Sequence, residues 1–440
     1  MKRESKMEEV KGKMEDCHMD SELLTQFHKN IPQLRFSGFD DEWEEKKLGE
    51  VSDRVTRKNE NLESTLPLTI SAQYGLVDQI TFFNNQVAST TNLRNYFLVK
   101  NGEFAYNKSY SAGYPWGAIK RLDRYEKGVL STLYIVFKPK NINSDYLLSY
   151  YDTDKWYKQV SEIAAEGARN HGLLNIAPND FFQTTFYAPK SENEQQKIGI
   201  MLSKIDSLIQ AKTKKLESHK AVKKSLLQKC FPKAGQKVPE IRFAGFSGDW
   251  EEKKLGEIAE NFDYGLNAAA TDFDGKNKYL RITDIDDENR YFKYDDVSSP
   301  DCILSESENY LLRENDIVFA RTGASVGKTY IYNKQDGIVY FAGFLIRVHI
   351  KQEYDSLFIF QNTLSEPYNK YIQITSQRSG QPGVNAEEYK EYSVMCPPTL
   401  AEQQKIGQFF SRYDSLISAQ QKEIDKLKDI KKSLLQKMFI

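Results

Sequence analysis

A stretch of nineteen residues occurs twice in this chain. Pro32–Glu50 reads PQLRFSGFDDEWEEKKLGE and Pro239–Glu257 reads PEIRFAGFSGDWEEKKLGE, identical at 13 of 19 positions at an offset of 207. A longer match follows: Glu194–Phe231 begins EQQKIG and ends KKSLLQKCF, and Glu402–Phe439 begins EQQKIG and ends KKSLLQKMF, with 22 of 38 positions identical at an offset of 208. The interiors, residues 51–190 and 258–398, barely resemble one another. A period this long is no solenoid repeat. It marks a tandem duplication of a whole domain plus a helix. Drift alone would erode frame and interior alike, so the frames do one job twice and the bodies do two versions of another.

The longer repeat predicts a helix. Only Gly199 and no proline interrupts Glu194–Phe231, and Ile198, Leu202, Ile205, Ile209 and Leu216 fall at steps of three, four or seven, which is a helical stripe. The copy continues the pattern with Ile406, Phe410, Tyr413, Ile417, Ile424, Leu427, Ile430 and Leu434. Pro189 and Pro397-Pro398 precede the two helices, and Pro232 ends the first, as start and stop signals do. A helix of about 38 residues is about 57 Å long at ~1.5 Å per residue. Two long matching stripes predict a coiled coil. Because the two units are equivalent, the expected pairing is antiparallel, a rod with one body at each end. The alternative is that each helix packs only on its own body. The lysines at Lys220, Lys223, Lys224 and Lys229, with Lys431, Lys432 and Lys437, are a solvated face or a contact with phosphates or a partner.

Short runs rich in β-branched and aromatic residues predict strands in both bodies: NYFLVK (95–100) and TLYIVFK (132–138) in the first, DIVFAR (316–321), KTYIY (328–332) and FLIRVHI (344–350) in the second. Helical patches intervene, as around Asp145–Val160. The expected fold class is α/β, two domains of mixed, largely antiparallel sheet plus helices, joined by two long helices in an antiparallel coiled coil with a pseudo-twofold internal repeat. The expected boundaries are an N-terminal extension (1–30), the first domain (31–190), the central helix (191–233), the second domain (234–398) and the C-terminal helix (399–440).

The loops carry the polar chemistry. YNKSYSAGYPWGAIKR (Tyr106–Arg121) and RTGASVGK (Arg321–Lys328) each follow a strand, and GARNHGLLN (Gly167–Asn175) and SQRSGQPGVN (Ser376–Asn385) each precede a long helix. Glycine lets backbone approach a phosphate, hydroxyls and cations bond phosphate oxygens, and Arg, Lys, Asn and Gln read base edges. Recurrence at equivalent places sets these loops apart from generic polar surface. The candidate nucleic-acid contacts are Tyr74, Tyr106, Asn107, Lys108, Ser109, Tyr110, Lys120, Arg121, Arg169, Asn170 and His171 in the first body. In the second they are Arg321, Thr322, Ser325, Lys328, Arg378, Ser379 and Gln381.

Other classes are disfavoured. No apolar run approaches the ~18 to 20 residues of a membrane span, and the opening MKRESKMEEVKGKMEDC has no apolar signal region. Cys17, Cys230, Cys302 and Cys396 are scattered without metal-ligand spacing, so a cytoplasmic protein with reduced thiols and no bound metal is expected. GASVGKT, Gly323–Thr329, has three residues between its glycines where a phosphate-binding loop needs four. No dinucleotide fingerprint, nucleophile elbow, HExxH, methyltransferase or nuclease motif occurs. The formal net charge of -1 argues weakly against nucleic-acid binding. The charge is segregated, however: residues 190–233 hold 11 lysines against 4 acidic residues, an excess of 7. The reading is a binding protein without chemistry of its own.

The paired RFxGFxxxWEEKKLGE openings, the diverged bodies, the EQQKIG…SLLQK helices and DIVFARTGASVGKTY resemble the specificity subunit of type I restriction–modification systems, over roughly residues 31–440. The resemblance implies that each body is a target recognition domain for one half of a split, asymmetric double-stranded DNA target. The coiled coil would set the spacing between halves. Two modification subunits would methylate adenine with S-adenosylmethionine, and two restriction subunits, using ATP and magnesium, would translocate and cleave. Those cofactors belong to the partners; none is expected on this chain, which is expected to be non-catalytic. The competing class is a scaffold that uses the helices alone to assemble proteins.

Overall fold

The computed structural model describes residues 30–72, 74–84, 90–111, 113–164 and 174–440. It divides into two compact units, one running to Ala211 and including Asp425–Ile440, the other Lys212–Ile424. Each unit therefore takes one body and half of each long helix.

The first body is built on β1 (Ser52–Arg54), β2 (Phe104–Asn107), β3 (Ala118–Arg121) and β4 (Ile135–Pro139), hydrogen-bonded in the order β1-β4-β2-β3. The second is built on β5 (Ala259–Tyr264), β6 (Asp316–Ala320), β7 (Thr329–Ile331) and β8 (Leu345–Ile350), in the order β5-β8-β6-β7. Every pairing in both sheets is antiparallel. The topologies are the same although the sequences have diverged. What the two share is pattern: β6 is buried at all five positions and β2 at its first three, as inner strands covered on both faces are. Small two-stranded ladders flank these sheets, and one of them, Lys278–Leu280 with Val339–Phe341, is parallel. Among the described residues no helix is long and apolar enough to cross a membrane.

The long helices are α1 (Glu192–Cys230) and α2 (Leu400–Met438), 39 residues each. In the first unit Asp206 of α1 meets Lys431 of α2 at 2.7 Å. In the second, Lys212 meets Glu423 at 2.7 Å, His219 Nδ1 lies 2.9 Å from Gln420 Oε1, and Lys223 pairs with Asp414. Residue numbers fall along one helix as they rise along the other, so the pairing is antiparallel, and each helix also enters the core of a body. The apolar stripe holds at Ile198, Leu202, Leu216, Ile406, Phe410, Ile417 and Ile424, all buried. It fails at Ile430, which is 42% exposed, while Leu435 and Met438 are buried. The strict spacing drifts around the 3.6-residue helix, and the last turns join a core that holds both the first body and Ile198 and Leu202 of α1.

The repeated residues are the ones that join these parts. Arg35 donates through Nε and Nη2 to Glu194 at 2.6 and 2.8 Å, and Arg242 does the same to Glu402 at 2.7 and 2.8 Å. Both glutamates are 1% exposed. One residue earlier, the Leu34 N–H donates to the Lys437 carbonyl and the Ile241 N–H to the Lys229 carbonyl, both at 2.9 Å. Each opening thus fastens the first turn of one long helix to the last turn of the other, and uses a helix-end carbonyl that would otherwise lack a partner. Gln195 and Gln403 accept from the backbone N–H of Asn143 (2.9 Å) and Asp355 (3.1 Å), the residues that cap the body helices Ser144–Tyr151 and Ser356–Asn362. Gly199 lets α1 close on that cap: a Cβ there would sit 2.8 Å from Tyr146 N, and one at Gly407 2.8 Å from Phe358 N.

The rest of the frame is packing and capping. Trp43 is edge-on to Tyr146 and Phe439 at 6.0 and 6.3 Å, and Trp250 to Phe358 and Phe231 at 5.7 and 6.2 Å. EEKK forms a strand in both copies, Glu44–Lys47 on Thr185–Ala188 and Glu251–Lys254 on Ser393–Cys396. The Glu50 and Glu257 carboxylates then accept from the Lys47 and Lys254 N–H at 3.1 and 2.9 Å, starting the one-turn helices that follow.

A half-buried charge network fixes the first body to both helices. Asp152 accepts from Lys120 of β3 and from Lys431 of α2, each at 2.7 Å. The second unit keeps the helix pair Lys223–Asp414 and adds Gln361, whose Nε2 donates to Asp414 at 2.7 Å. Burial pushes the Asp152 carboxyl up, but Lys120 and Lys431 outweigh it and hold the group below its ordinary range.

Two outcomes follow from these contacts. The unfolded Asp152 titrates near ~3.9 and the folded one lower, so its stabilisation is present above that pH and is lost as pH falls through the folded value. Acid titration of unfolding should show an extra loss of stability below about pH 4 in the wild type that is missing in Asp152→Asn. Secondly, an apolar cavity of about 90 Å³ lined by Leu226, Cys230, Trp250 and Phe409 lies in the second unit, where the repeat places Cys230 against Met438 of the first. At about 24 cal/mol per Å³, filling it is worth up to ~2 kcal/mol. Cys230→Met should raise the thermal unfolding midpoint, and a lowered midpoint would contradict the cavity.

Candidate nucleic-acid interface

The two loops singled out in the second body are brought together. Residues 321–328 leave β6, and their backbone meets residues 376–385: Gly323 N–H donates to Pro382 O and Val384 N–H to Arg321 O, both at 2.9 Å, while Gly383 N–H closes the second loop on Ser376 O at 3.1 Å. Gly323 has φ +70°, and a Cβ there would lie 2.8 Å from Gln381 Nε2, so a side chain would be both strained and obstructed. The first body is joined the same way. Residue 108 leaves β2, its carbonyl accepts from Leu174 N–H at 2.9 Å, and Lys108 Nζ donates to Ile176 O at 3.3 Å. Lys108 and Arg321 thus hold one structural position, the first residue after an inner strand.

These two cations differ from the other described candidates. Among the described residues neither Lys108 nor Arg321 makes an ion pair. Burial lowers the Lys108 pKa, which shows how poorly water compensates the charge there. The Arg321 Nε donates to Gly343 O at 3.1 Å. Its guanidinium lies over the Tyr264 ring at 5.3 Å and the Phe344 ring at 5.8 Å.

The other candidates separate by burial and pairing. Tyr106 is a correction: it is 0% exposed, stacks on Phe181 at 4.9 Å, and its hydroxyl donates to Trp116 O at 2.7 Å. Its place on β2 turns the ring into the core. Lys120 is committed to Asp152, and Arg121 to Asp123 and Asp145 at 2.6 and 2.7 Å and to Ser144 at 2.8 Å. Lys328 pairs with Asp287, and Ser325 is only 9% exposed. Arg378 is at the surface but pairs with Glu388 and donates to Thr375 O at 2.7 Å. Asn107 uses its side-chain oxygen locally, on Ser109 N–H at 3.0 Å. Tyr74 and Tyr110 are 63% and 56% exposed. Ser379 and Gln381 are also exposed, and Thr322 is half-buried beside Pro382. Arg169, Asn170 and His171 lie outside the described residues.

Two residues missed in the sequence belong here. Tyr264 and Phe344 are 47% and 56% exposed, unusual for large aromatic rings. A Cβ on Gly265 would fall 2.1 Å from Ala342 O, so glycine is required for the end of β5 to approach the turn that carries Phe344. The readable signal was an aromatic residue beside a glycine in both places, Tyr264-Gly265 and Gly343-Phe344.

Comparison with known proteins now bears on what this arrangement is. Residues 247–429 match the protein family described as Type I restriction modification DNA specificity domain. That match lies within the second copy of the repeat, and the frame residues of that copy recur in the first. The specificity subunit of the type I restriction enzyme MjaVIII from Methanocaldococcus jannaschii is 23% identical over 318 residues, 70% of this chain and 73% of that protein. The crystal structure of the S subunit of a type I restriction–modification system from M. genitalium covers 93% of this chain and 99% of its own at 17% identity, with a TM-score of 0.58. At that identity the likeness is one of fold. Residues 247–429 thus belong to the family of type I restriction modification DNA specificity domains, and the chain as a whole shares the fold of such an S subunit.

Proposed function

We propose that this chain is the non-catalytic reader of a bipartite DNA target, each unit recognising one half, with Arg321 and Lys108 as the principal base-reading side chains. The observation that carries this is their equivalence. In two bodies of diverged sequence, the same backbone position holds a cation without a carboxylate partner. A buried or half-buried cation without an anion is costly, and a double helix would supply the missing acceptors. The arginine fork matches guanine O6 and N7, whereas lysine acts as a point charge toward one acceptor. Tyr110, Ser109 and Tyr74 in the first body, and Thr322, Ser379 and Gln381 in the second, would contact phosphate and sugar, contacts that position but do not specify. The paired cations Lys120, Arg121, Lys328 and Arg378 hold the loops in shape.

The partners proposed are double-stranded DNA, two modification subunits that methylate adenine with S-adenosylmethionine, and two restriction subunits that use ATP and magnesium. The support is the matched specificity domain and the fold shared with an S subunit. With the cofactors on those subunits, this chain supplies the address.

The test is to map methylated adenines by long-read sequencing in cells expressing the chain with its cognate modification subunit. Wild type should give a split motif of two short defined halves around a fixed gap. Arg321→Ala should relax one half and Lys108→Ala the other, each costing ~1 to 3 kcal/mol of discrimination at its base. One substitution relaxing both halves together would contradict the assignment.

A further inference from the structure

The unit-two reader has something its counterpart lacks. Arg321 emerges half-buried, its Nε donated to Gly343 O and its guanidinium against two exposed rings, Tyr264 at 5.3 Å and Phe344 at 5.8 Å. Nη1 and Nη2 have no protein partner among the described residues. In an arginine fixed at Nε, the terminal pair of donors is what remains to face a ligand, and that pair matches two adjacent acceptors in one plane. Guanine offers such a pair, O6 and N7, on its major-groove edge; adenine offers N7 beside a donor.

The rings are themselves held. Tyr264 ends β5, and its hydroxyl accepts from Ala386 N–H at 3.3 Å, the first residue of a short helix. The Phe344 carbonyl accepts from the Arg321 N–H at 3.0 Å, which fixes the distance between ring and reader. Strand register gives the counterparts in the first unit. Ile135 lies opposite Tyr106 as Ile346 lies opposite Phe319, so Leu133 stands where Phe344 does and Thr56 where Tyr264 does. Neither can take a cation over a ring face, and the cation there is a lysine.

We propose that Tyr264 and Phe344 are specificity-determining positioning residues that hold Arg321 as a fixed fork, and that the half-site read by the second unit contains a guanine recognised by this fork. This rests on the assignment of Arg321 as a base-reading residue. The rings act through the arginine. They lower the freedom of its side chain before DNA arrives and keep its plane along the base edge, so their loss affects discrimination more than attraction to phosphate.

The experiment uses the full chain assembled with its cognate modification subunit and duplexes bearing the mapped motif. Competition binding compares guanine with 7-deazaguanine, which lacks the N7 acceptor, and with adenine at the base that Arg321→Ala relaxes. Wild type should discriminate by about five- to hundredfold. Tyr264→Leu and Phe344→Leu should each cut that discrimination by about three- to tenfold, leaving the other half-site and the salt dependence of binding unchanged. Tyr264→Phe, which keeps the ring and loses the bond to Ala386, should retain most of it. Mapping that gives no guanine in this half, or leucine variants that bind all duplexes more weakly with discrimination intact, overturns the inference. If Arg321→Ala relaxes a half-site while both leucine variants read like wild type, the positioning role falls and the reading of Arg321 stands. If Arg321→Ala changes nothing, that reading falls with it.

Discussion

Everything else in this molecule depends on a two-point fastening made twice. A buried glutamate in the first turn of each long helix takes both donors of an arginine from the RF segment. The residue before that arginine donates its N–H to the last turn of the other helix. A bidentate pair at 1% exposure is direction-specific, and a lone glutamate left there would cost about 3 to 5 kcal/mol. The pair therefore adds less to net stability than to register. It dictates which turn of which helix meets which body, and glycine at Gly199 and Gly407 then lets the helix close on the cap of the first body helix. The doubled frame in the sequence is the record of this joint.

A joint of this kind frees the bodies to differ. Their sheets share strand order with little sequence in common, because sheet topology needs only buried inner strands. The ends of those strands, where the chain leaves β2 and β6, are outside the joint and can change chemistry without disturbing it. There one body presents a lysine and the other an arginine against two rings. A duplicated frame that presents unlike cations suits the asymmetric target proposed for it.

The large features were legible because they are periodic or repeated. The 3.6-residue stripe marked both long helices to within a few residues, and DIVFA and LIRVHI read as strands because short apolar β-branched runs have few other uses. The stripe misled at Ile430, where a strict spacing has drifted off the buried face of the helix. The candidate loops stood out because they recur at equivalent points in the sequence, but their side chains could not be sorted. Lys120, Arg121, Lys328 and Arg378 look as available in the sequence as Arg321 does. Their carboxylates lie between two residues away, as Asp123 from Arg121, and 41, as Asp287 from Lys328, and only folding decides which cation is neutralised. Tyr106 belonged to a strand whose end was mistaken for a loop. Tyr264 and Phe344 escaped notice because each is brought to Arg321 by a glycine contact that composition does not reveal.

The central claim is that frame and reader are separable: the joint positions, and the loops of each body read. The most direct measurement replaces residues 51–190 with the corresponding body of another specificity subunit of known target, choosing one that keeps an acidic residue for Lys431, and maps methylated adenines in cells carrying the cognate modification subunit. The account predicts a split motif with one half exchanged for the donor's and the other half unchanged. A motif altered in both halves, or lost although the complex assembles, would contradict it.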